Sequence, residues 1–537
     1  MHTARATDHD LAHSYLGHPF GPPWEYGGTI VATLLRQVAT LGDAAFLTTA
    51  TADGETTTLS YRDVDRLSRR VGGWLRRELG VGSGDVVALA PVNDARSVIG
   101  ILGSLRAGCA VLLLSPADPV ARLRPQVESA GAKVVLHPPT VSLDASLSPV
   151  VIPDPDTLAD PAGGESDAPV GPGADAFLIG TSGSTAASKL VVQSHYNVVA
   201  NAAALRAHHR IGPGERILGC LPIHHVNGLH FTVLGPLAAG AHVLLAHAFD
   251  PFGYPRLLER FRPRIASVVP SLLEALTHTW RSPRLPGDFG YFVSAAAPLT
   301  AQTAQEVSRR LGTRVLQGYG LTETTNFSTT VPTDVSADTY RRLVLEADIP
   351  SIGAAMPGNE VAVLLEDGRV AEPGQLGELC MRGHNVMSRY AGNAAATAEA
   401  FRHGWFHSQD MGFAVRDPDD DRPYFVITGR SKNIAKVRGE TVSLEEMERA
   451  LRALPGVRDA ACVCLPHRFL GDEIVAAVVF APGERPDVGT ALCASFAATV
   501  VPRRVLSLDA IPRTATGKIL RPRLAEQVAA HLDAPLP

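Results

Sequence analysis

Helical and strand-like apolar patterns alternate through the first part of this chain, and that rhythm leaves few folds open. The segment TLSYRDVDRLSRRVGGWLRREL (58–79) repeats Val64, Leu67, Val71, Leu75 and Leu79 at helical spacing behind a capping pair, Ser60 and Asp63. GDVVALAPV follows as a continuous apolar run, then a helix around Ile99–Leu105, then AVLLLSP as a second run. Uninterrupted apolar strands separated by helices predict a largely parallel sheet covered on both faces. At 537 residues the chain is too long for one core, so more than one domain is expected.

Composition narrows the function. Lys plus Arg number 49 against 54 Asp plus Glu, a formal net charge of -5. That balance argues against a nucleic-acid or anionic-membrane partner and favours small molecules. Six cysteines make no disulfide framework, and Cys462 and Cys464 alternate as one face of a buried strand. The N-terminal stretch MHTARATDHDLAHSYLGHPF has no apolar core of a signal peptide, and no apolar run reaches membrane-spanning length. The expected setting is cytoplasmic. His9 and His13, spaced i,i+4, mimic half a zinc motif but read as incidental in a polar leader.

Several segments carry chemistry. TSGSTAASK (Thr181–Lys189) follows an apolar strand, and such a loop can wrap phosphate oxygens with backbone and hydroxyl donors. It is neither a Walker A loop nor a nucleophile elbow, and alone it would be an ordinary turn. In the same order follow QGYGLTETT (317–325), SQDMGF (408–413), GRSKNIAKVRGETVSLEEME (429–448) and PRTATGKILR (512–521). With SLRAG (104–108), these segments resemble the motifs of adenylate-forming enzymes: acyl- and aryl-CoA synthetases, luciferases and peptide-synthetase adenylation domains. The resemblance spans roughly residues 25–530.

The resemblance implies an α/β fold: a large multi-layer N-terminal domain (25–430) behind a polar leader (1–24), and a small mobile α+β C-terminal domain (431–537). It implies ATP and Mg²⁺, with CoA as co-substrate. Thr181, Ser182, Gly183, Ser184 and Thr185 would cradle phosphates beside Lys189. Tyr319 and Gly320 would lie against adenine with Ala296 and Ala297, and Asp410 would take the ribose hydroxyls with Arg430 beside it. Thr322 and Glu323 belong to the catalytic motif, with Glu323 the metal carboxylate. Lys518 would bridge carboxylate and phosphate oxygens during adenylation. Rotation about a hinge at Lys432 would exchange it for a face carrying Lys436 and Gly439, the latter letting a thiol approach.

The chain departs from the family pattern in its phosphate loop, where Ala186, Ser188 and Leu190 replace two glycines and a proline, and in Ser408-Gln409-Asp410, which stands for T-G-D. The pocket segment LPIHHVNGLHFTVLGPL (221–237) offers His225, Asn227 and nearby histidines, with Ser294 on a separate segment. It contains no carboxylate to pair with an ammonium group, so an amino acid is disfavoured, and a small or oxygen-rich acid is expected rather than a long alkyl chain. CoA is the default acceptor. The alternatives are a carrier protein, an oxyanion such as nitrite passed to an amine, and, outside enzymes, a nucleotide-binding regulator.

Overall fold

A computed structural model describes residues 6–19, 28–51, 54–161, 167–181, 189–282, 285–430, 433–437, 440–467, 471–493, 495–514 and 517–533. The chain divides into two compact units, one of residues 1–361, 380–407 and 417–424, the other of residues 362–379, 408–416 and 425–537. The second unit thus gathers more than the segment after residue 430.

The first unit is built on two sheets. One has nine strands, with a parallel centre formed in spatial order by Arg314–Tyr319, Tyr291–Ser294, Ile265–Val268, Arg216–Gly219, His242–Ala246 and Ala45–Ala50. The other has seven, with Asp175–Gly180, Ala110–Leu113, Val86–Leu89, Ala132–His137 and Pro149–Val151 in parallel. Leu190–Ser194 and Arg389–Tyr390 extend it as antiparallel edge strands. The central strands are apolar throughout because both faces are covered, as the continuous runs required.

Helix Tyr61–Glu78 begins at Ser60 with the expected capping box to Asp63, and its buried face carries Val64, Leu67, Val71 and Leu75. Beside it, the guanidinium of Arg106 is almost wholly buried and bonds to Ser68, Asp65 and Asp167. Asp167 belongs to the Pro- and Gly-rich stretch 153–173, so a buried ion-pair network pins that surface segment to the core.

The leader corrects an expectation. Asp8–Ala12 is a short helix, and His9 and His13 set their Nε2 atoms 2.8 Å from the Ser388 and Met387 carbonyls, with both rings against Phe401. These histidines are docking groups rather than incidental ones.

The second unit contains a five-stranded sheet of Glu440–Ser443, Ile434–Val437, Gly471–Phe480 and Val457–His467, with Arg504–Ser507 alongside Gly471–Phe480. Cys462 is buried and Cys464 half-buried on their strand. The sequence pattern predicts a helix near 487–500, whereas among the described residues of that stretch only Val488–Leu492 is helical. Thr499, Val500 and Val501 are β-branched and precede Pro502, which disfavours helical backbone in that stretch.

Candidate active site

The strands Asp175–Gly180 and Leu190–Ser194 run antiparallel with Gly180 opposite Leu190, and the Thr181 N–H donates to the Lys189 carbonyl at 3.0 Å. The two strands that flank the hydroxyl-rich segment are therefore paired up to Thr181 and Lys189. Ser182, Gly183, Ser184 and Thr185 lie outside the described residues, as do Ala186 and Ser188.

At the mouth of this loop the ammonium of Lys189 sits 4.7 Å from the centroid of the Tyr390 ring. The Tyr390 hydroxyl donates to Glu323 Oε1 at 2.9 Å. Burial first, and the Glu323 carboxylate second, push the Tyr390 phenol well above its ordinary pKa, so it stays a proton donor. Lys189, Tyr390 and Glu323 thus form one cluster. Tyr390 is absent from the sequence reading: it lies 67 residues from Glu323, and only the edge pairing of Tyr390 with Val191 brings it there.

Glu323 is carried on the tight turn Thr322–Thr324, just beyond the strand that ends at Tyr319. The turn is held from outside by Met387 N–H to the Glu323 carbonyl (2.7 Å), Asn385 Nδ2 to the Thr324 carbonyl (2.8 Å) and Thr325 Oγ1 to the Asn385 carbonyl (2.6 Å). Thr325 is strained into the left-handed region at φ 65°. Gly320 has no room for a side chain, since a Cβ would stand 1.6 Å from the Asn326 carbonyl oxygen.

The expected acid pocket gathers at the C-terminal ends of the parallel strands, where open α/β sheets take their ligands. The π-helical stretch Asn227–Leu234 places Asn227 Oδ1 to accept from Ser267 Oγ at 3.2 Å. Ser294 ends its strand opposite Val268 and Gln317. Asn227 Nδ2, Ser294 Oγ and Gln317 Oε1 are buried without a hydrogen-bond partner among the described residues. His225 is half-buried with its ring centroid 4.3 Å from that of His224, and burial pushes His224 down to about 3. Beyond Ser294, Ala296 is exposed and left-handed at φ 69°.

In the second unit, Asp410 is 3% exposed and accepts from Arg430 Nε at 2.8 Å. Gln409 takes the left-handed region at φ 63°, its N–H donating to Glu378 Oε1 at 2.7 Å. A side chain here occupies the backbone state that the family pattern assigns to glycine.

Lys518 is half-buried in a turn closed by Thr514 N–H to its carbonyl (2.8 Å) and by its own N–H to Thr514 Oγ1 (3.1 Å). Arg513 anchors that turn, bonding to the Gly517 carbonyl and, twice through Nη2, to Asp459. At the far end of the lysine segment Arg521 bonds to Glu448, Glu445 and the Cys462 carbonyl. Lys436 lies on the strand Ile434–Val437 opposite Thr441; its side chain, Lys432 and Gly439 lie outside the described residues.

The segments that resemble adenylate-forming enzymes thus fall on both units, with Lys189 and Glu323 in the first and Lys518 in the second. The chain belongs to the AMP-binding enzyme family: residues 34–391 match the AMP-binding enzyme domain and residues 446–518 its C-terminal domain. It is 31% identical over 464 residues to the sulfoacetate–CoA ligase of Cupriavidus necator, covering 83% of this chain and 88% of that one. It is also 31% identical over 474 residues to a feruloyl-CoA synthase of Amycolatopsis, covering 87% and 93%. The crystal structure of ATP-bound MatB from Rhodopseudomonas palustris matches with a TM-score of 0.79 at 28% identity, over 93% of this chain and 99% of that one. The protein is an AMP-forming acid–thiol ligase that uses ATP and CoA. No helix among the described residues is long and apolar enough to cross a membrane.

Proposed function

We propose that this ligase activates a small, polar carboxylic acid, not an amino acid, as its acyl-adenylate and passes the acyl group to the thiol of CoA. The observation that carries the reading is the set of buried polar atoms at the strand ends with no partner among the described residues: Asn227 Nδ2, Ser294 Oγ and Gln317 Oε1. Buried polar atoms without partners are costly, and a polar acid would satisfy them where an alkyl chain would not. The segment 221–237 has no carboxylate to receive an ammonium group. The named substrate of the Cupriavidus relative, sulfoacetate, is of the same polar kind.

In the adenylation step a carboxylate oxygen attacks the α-phosphorus of ATP and the bond to pyrophosphate breaks. Both reactants are anions, so the work is neutralisation and alignment. The donors of Thr181, Ser182, Gly183, Ser184 and Thr185 cradle phosphate oxygens, with Lys189 as a fixed cation and Lys518 as a second one. Tyr319, Gly320, Ala296 and Ala297 border adenine, and Asp410, oriented by Arg430, holds the ribose. Thr322 and Glu323 stand at the reacting phosphate.

Glu323 fits a hard divalent cation. Its Oε1 is oriented by the Tyr390 hydroxyl. One carboxylate with water and phosphate ligands is the ordinary set for Mg²⁺, which would neutralise phosphate charge there. In the second step the CoA sulfur attacks the acyl carbon and AMP leaves. For it the segment 431–537 turns about Lys432, withdrawing Lys518 and presenting Lys436 and Gly439.

The test is ATP–pyrophosphate exchange across short, dicarboxylic, sulfonated, aromatic and amino acids and nitrite, with mass analysis of the product formed with CoA. Exchange confined to short polar acids, and a CoA thioester, are expected. Exchange with aromatic or amino acids alone overturns the substrate class, and an amide or a carrier-bound product overturns the acceptor. Lys518→Ala should abolish exchange but spare CoA transfer from supplied acyl-adenylate, and Gly439→Leu should do the reverse.

A further inference from the structure

The strand that leaves the hydroxyl-rich loop carries a buried amide that the reading above leaves without a role. Gln193, on Leu190–Ser194, is wholly buried. Its Nε2 donates to the Thr322 carbonyl at 2.9 Å, and its Oε1 lies 2.9 Å from His230 Nε2. A carbonyl only accepts, so the Nε2 end must face Thr322 and the Oε1 end must face the imidazole. His230 Nε2 therefore carries a proton. Burial pushes this histidine down to about 3, so the ring is neutral and Nδ1 is a bare acceptor, with no partner among the described residues.

The connection joins parts far apart in sequence. His230 sits on Asn227–Leu234, the stretch that also presents Asn227 to the acid pocket. Its ring is held edge-on by Phe177, 5.7 Å between centroids, on the strand that enters the loop. Thr322 opens the turn that carries Glu323. Both strands flanking the loop therefore grip the pocket stretch, and one of them also grips the catalytic turn.

We propose that Gln193 is a positioning residue for adenylation, tying the acid-pocket stretch at His230 to the Thr322 carbonyl so that the seating of the acid and the aim of the Glu323 turn are set together. The proposal rests on the functional reading above, in which Thr322 and Glu323 stand at the reacting phosphate. Gln193 touches neither reactant and acts through His230 and Thr322.

The experiment compares Gln193→Leu, His230→Phe and the double variant in both half-reactions, with melting temperature measured on each. Gln193→Leu leaves His230 Nε2–H without its acceptor and the Thr322 carbonyl with only the longer bond from the Thr325 N–H at 3.2 Å. The expected result is a fall in the exchange kcat of about tenfold or more, an ATP KM within about threefold of native, and unchanged CoA transfer from supplied acyl-adenylate. The double variant should fall no further than Gln193→Leu, because both changes cut one chain. His230→Gln, which keeps a donor facing Gln193, should recover most of the loss. Equal loss in both half-reactions, or additive losses, overturns the positioning role, as does a folded Gln193→Leu with native exchange. An activity-independent arm reads the tautomer by ¹⁵N NMR of histidine-labelled protein. Protonated Nε2 with bare Nδ1 is expected at His230, and a protonated Nδ1 refutes the chain even if no acid supports exchange. Silence of the native enzyme across the acid panel would instead count against the functional reading.

Discussion

Replacing Tyr390 by phenylalanine removes one hydroxyl and keeps the ring beneath Lys189. The lost bond, 2.9 Å from the phenol to Glu323 Oε1, has a charged acceptor, and such bonds contribute about 1.5–3 kcal/mol. Glu323 is only half-buried, so water can replace part of the interaction, and a net loss of about 1–2 kcal/mol follows. If the bond aims the carboxylate in the transition state, kcat for exchange falls about 5- to 30-fold. Tyr390→Leu also removes the ring face under the Lys189 ammonium, a cation–π contact of ~0.5–1 kcal/mol, for a further two- to fivefold or so. The assay is pyrophosphate exchange at saturating ATP and acid, with Mg²⁺ titrated in each variant. Because the native phenol is held protonated, the ratio of native to Tyr390→Phe activity should be flat from neutral to moderately alkaline pH. Native kcat and Mg²⁺ response in Tyr390→Phe refute the bracing of Glu323, and identical losses in the Phe and Leu variants refute a contribution from the ring contact with Lys189.

Gly320→Ala drives a methyl toward the Asn326 carbonyl, so the 320–327 turn must shift; exchange should fall at least about 100-fold while far-UV circular dichroism stays near native. Gln409→Gly relieves a left-handed side-chain residue and should raise stability by ~1 kcal/mol in urea melts; a drop would mean the Gln409 side chain does more than tolerate its backbone. Arg106→Ala leaves Asp65 and Asp167 without their buried partner and should cost about 3–5 kcal/mol, measured as a lowered denaturation midpoint. Burial holds His195 and His208 down to about 4 and His224 and His230 down to about 3. Below the ordinary histidine value the unfolded chain takes up protons that the folded one refuses. Stability is therefore full above about pH 6.5 and declines toward about pH 4, by ~1.4 kcal/mol per pH unit per histidine; a flat Tm profile over that range refutes it.

What the sequence makes legible here is local or ordered. The capped helix Tyr61–Glu78, the apolar central strands and the Cys462/Cys464 alternation follow from spacing alone, because one element decides each of them. The family's motifs occur in order, and the matched domains at 34–391 and 446–518 contain or overlap all of them except SQDMGF, which falls between the two. What stays hidden is contact made by topology. Tyr390 reaches Glu323, and Gln193 reaches Thr322 and His230, only because Leu190–Ser194 runs back antiparallel and takes Arg389–Tyr390 as its edge partner. Nothing in the spacing of SRYAGN or VVQSH marks these residues. The docking of His9 and His13 escapes for the same reason: their partners are main-chain carbonyls of residues 387 and 388, which carry no side-chain signature.

The altered phosphate loop and the braced carboxylate bear on one another. A glycine-rich loop can close on a phosphate by adjusting its backbone, whereas Ala186 and Leu190 narrow that freedom. What the described residues add at the loop's base is rigidity: Thr181 bonded to Lys189, Lys189 over the Tyr390 ring, Tyr390 bonded to Glu323, and Gln193 bonded to the Glu323 turn. Each partner is set by the sheet rather than by the loop itself. Electrostatic catalysis depends on donors and charges fixed before the reactants arrive, so a base held by strands can supply the alignment that a less adaptable loop does not. The Tyr390 and Gln193 variants measure how much alignment that framework supplies.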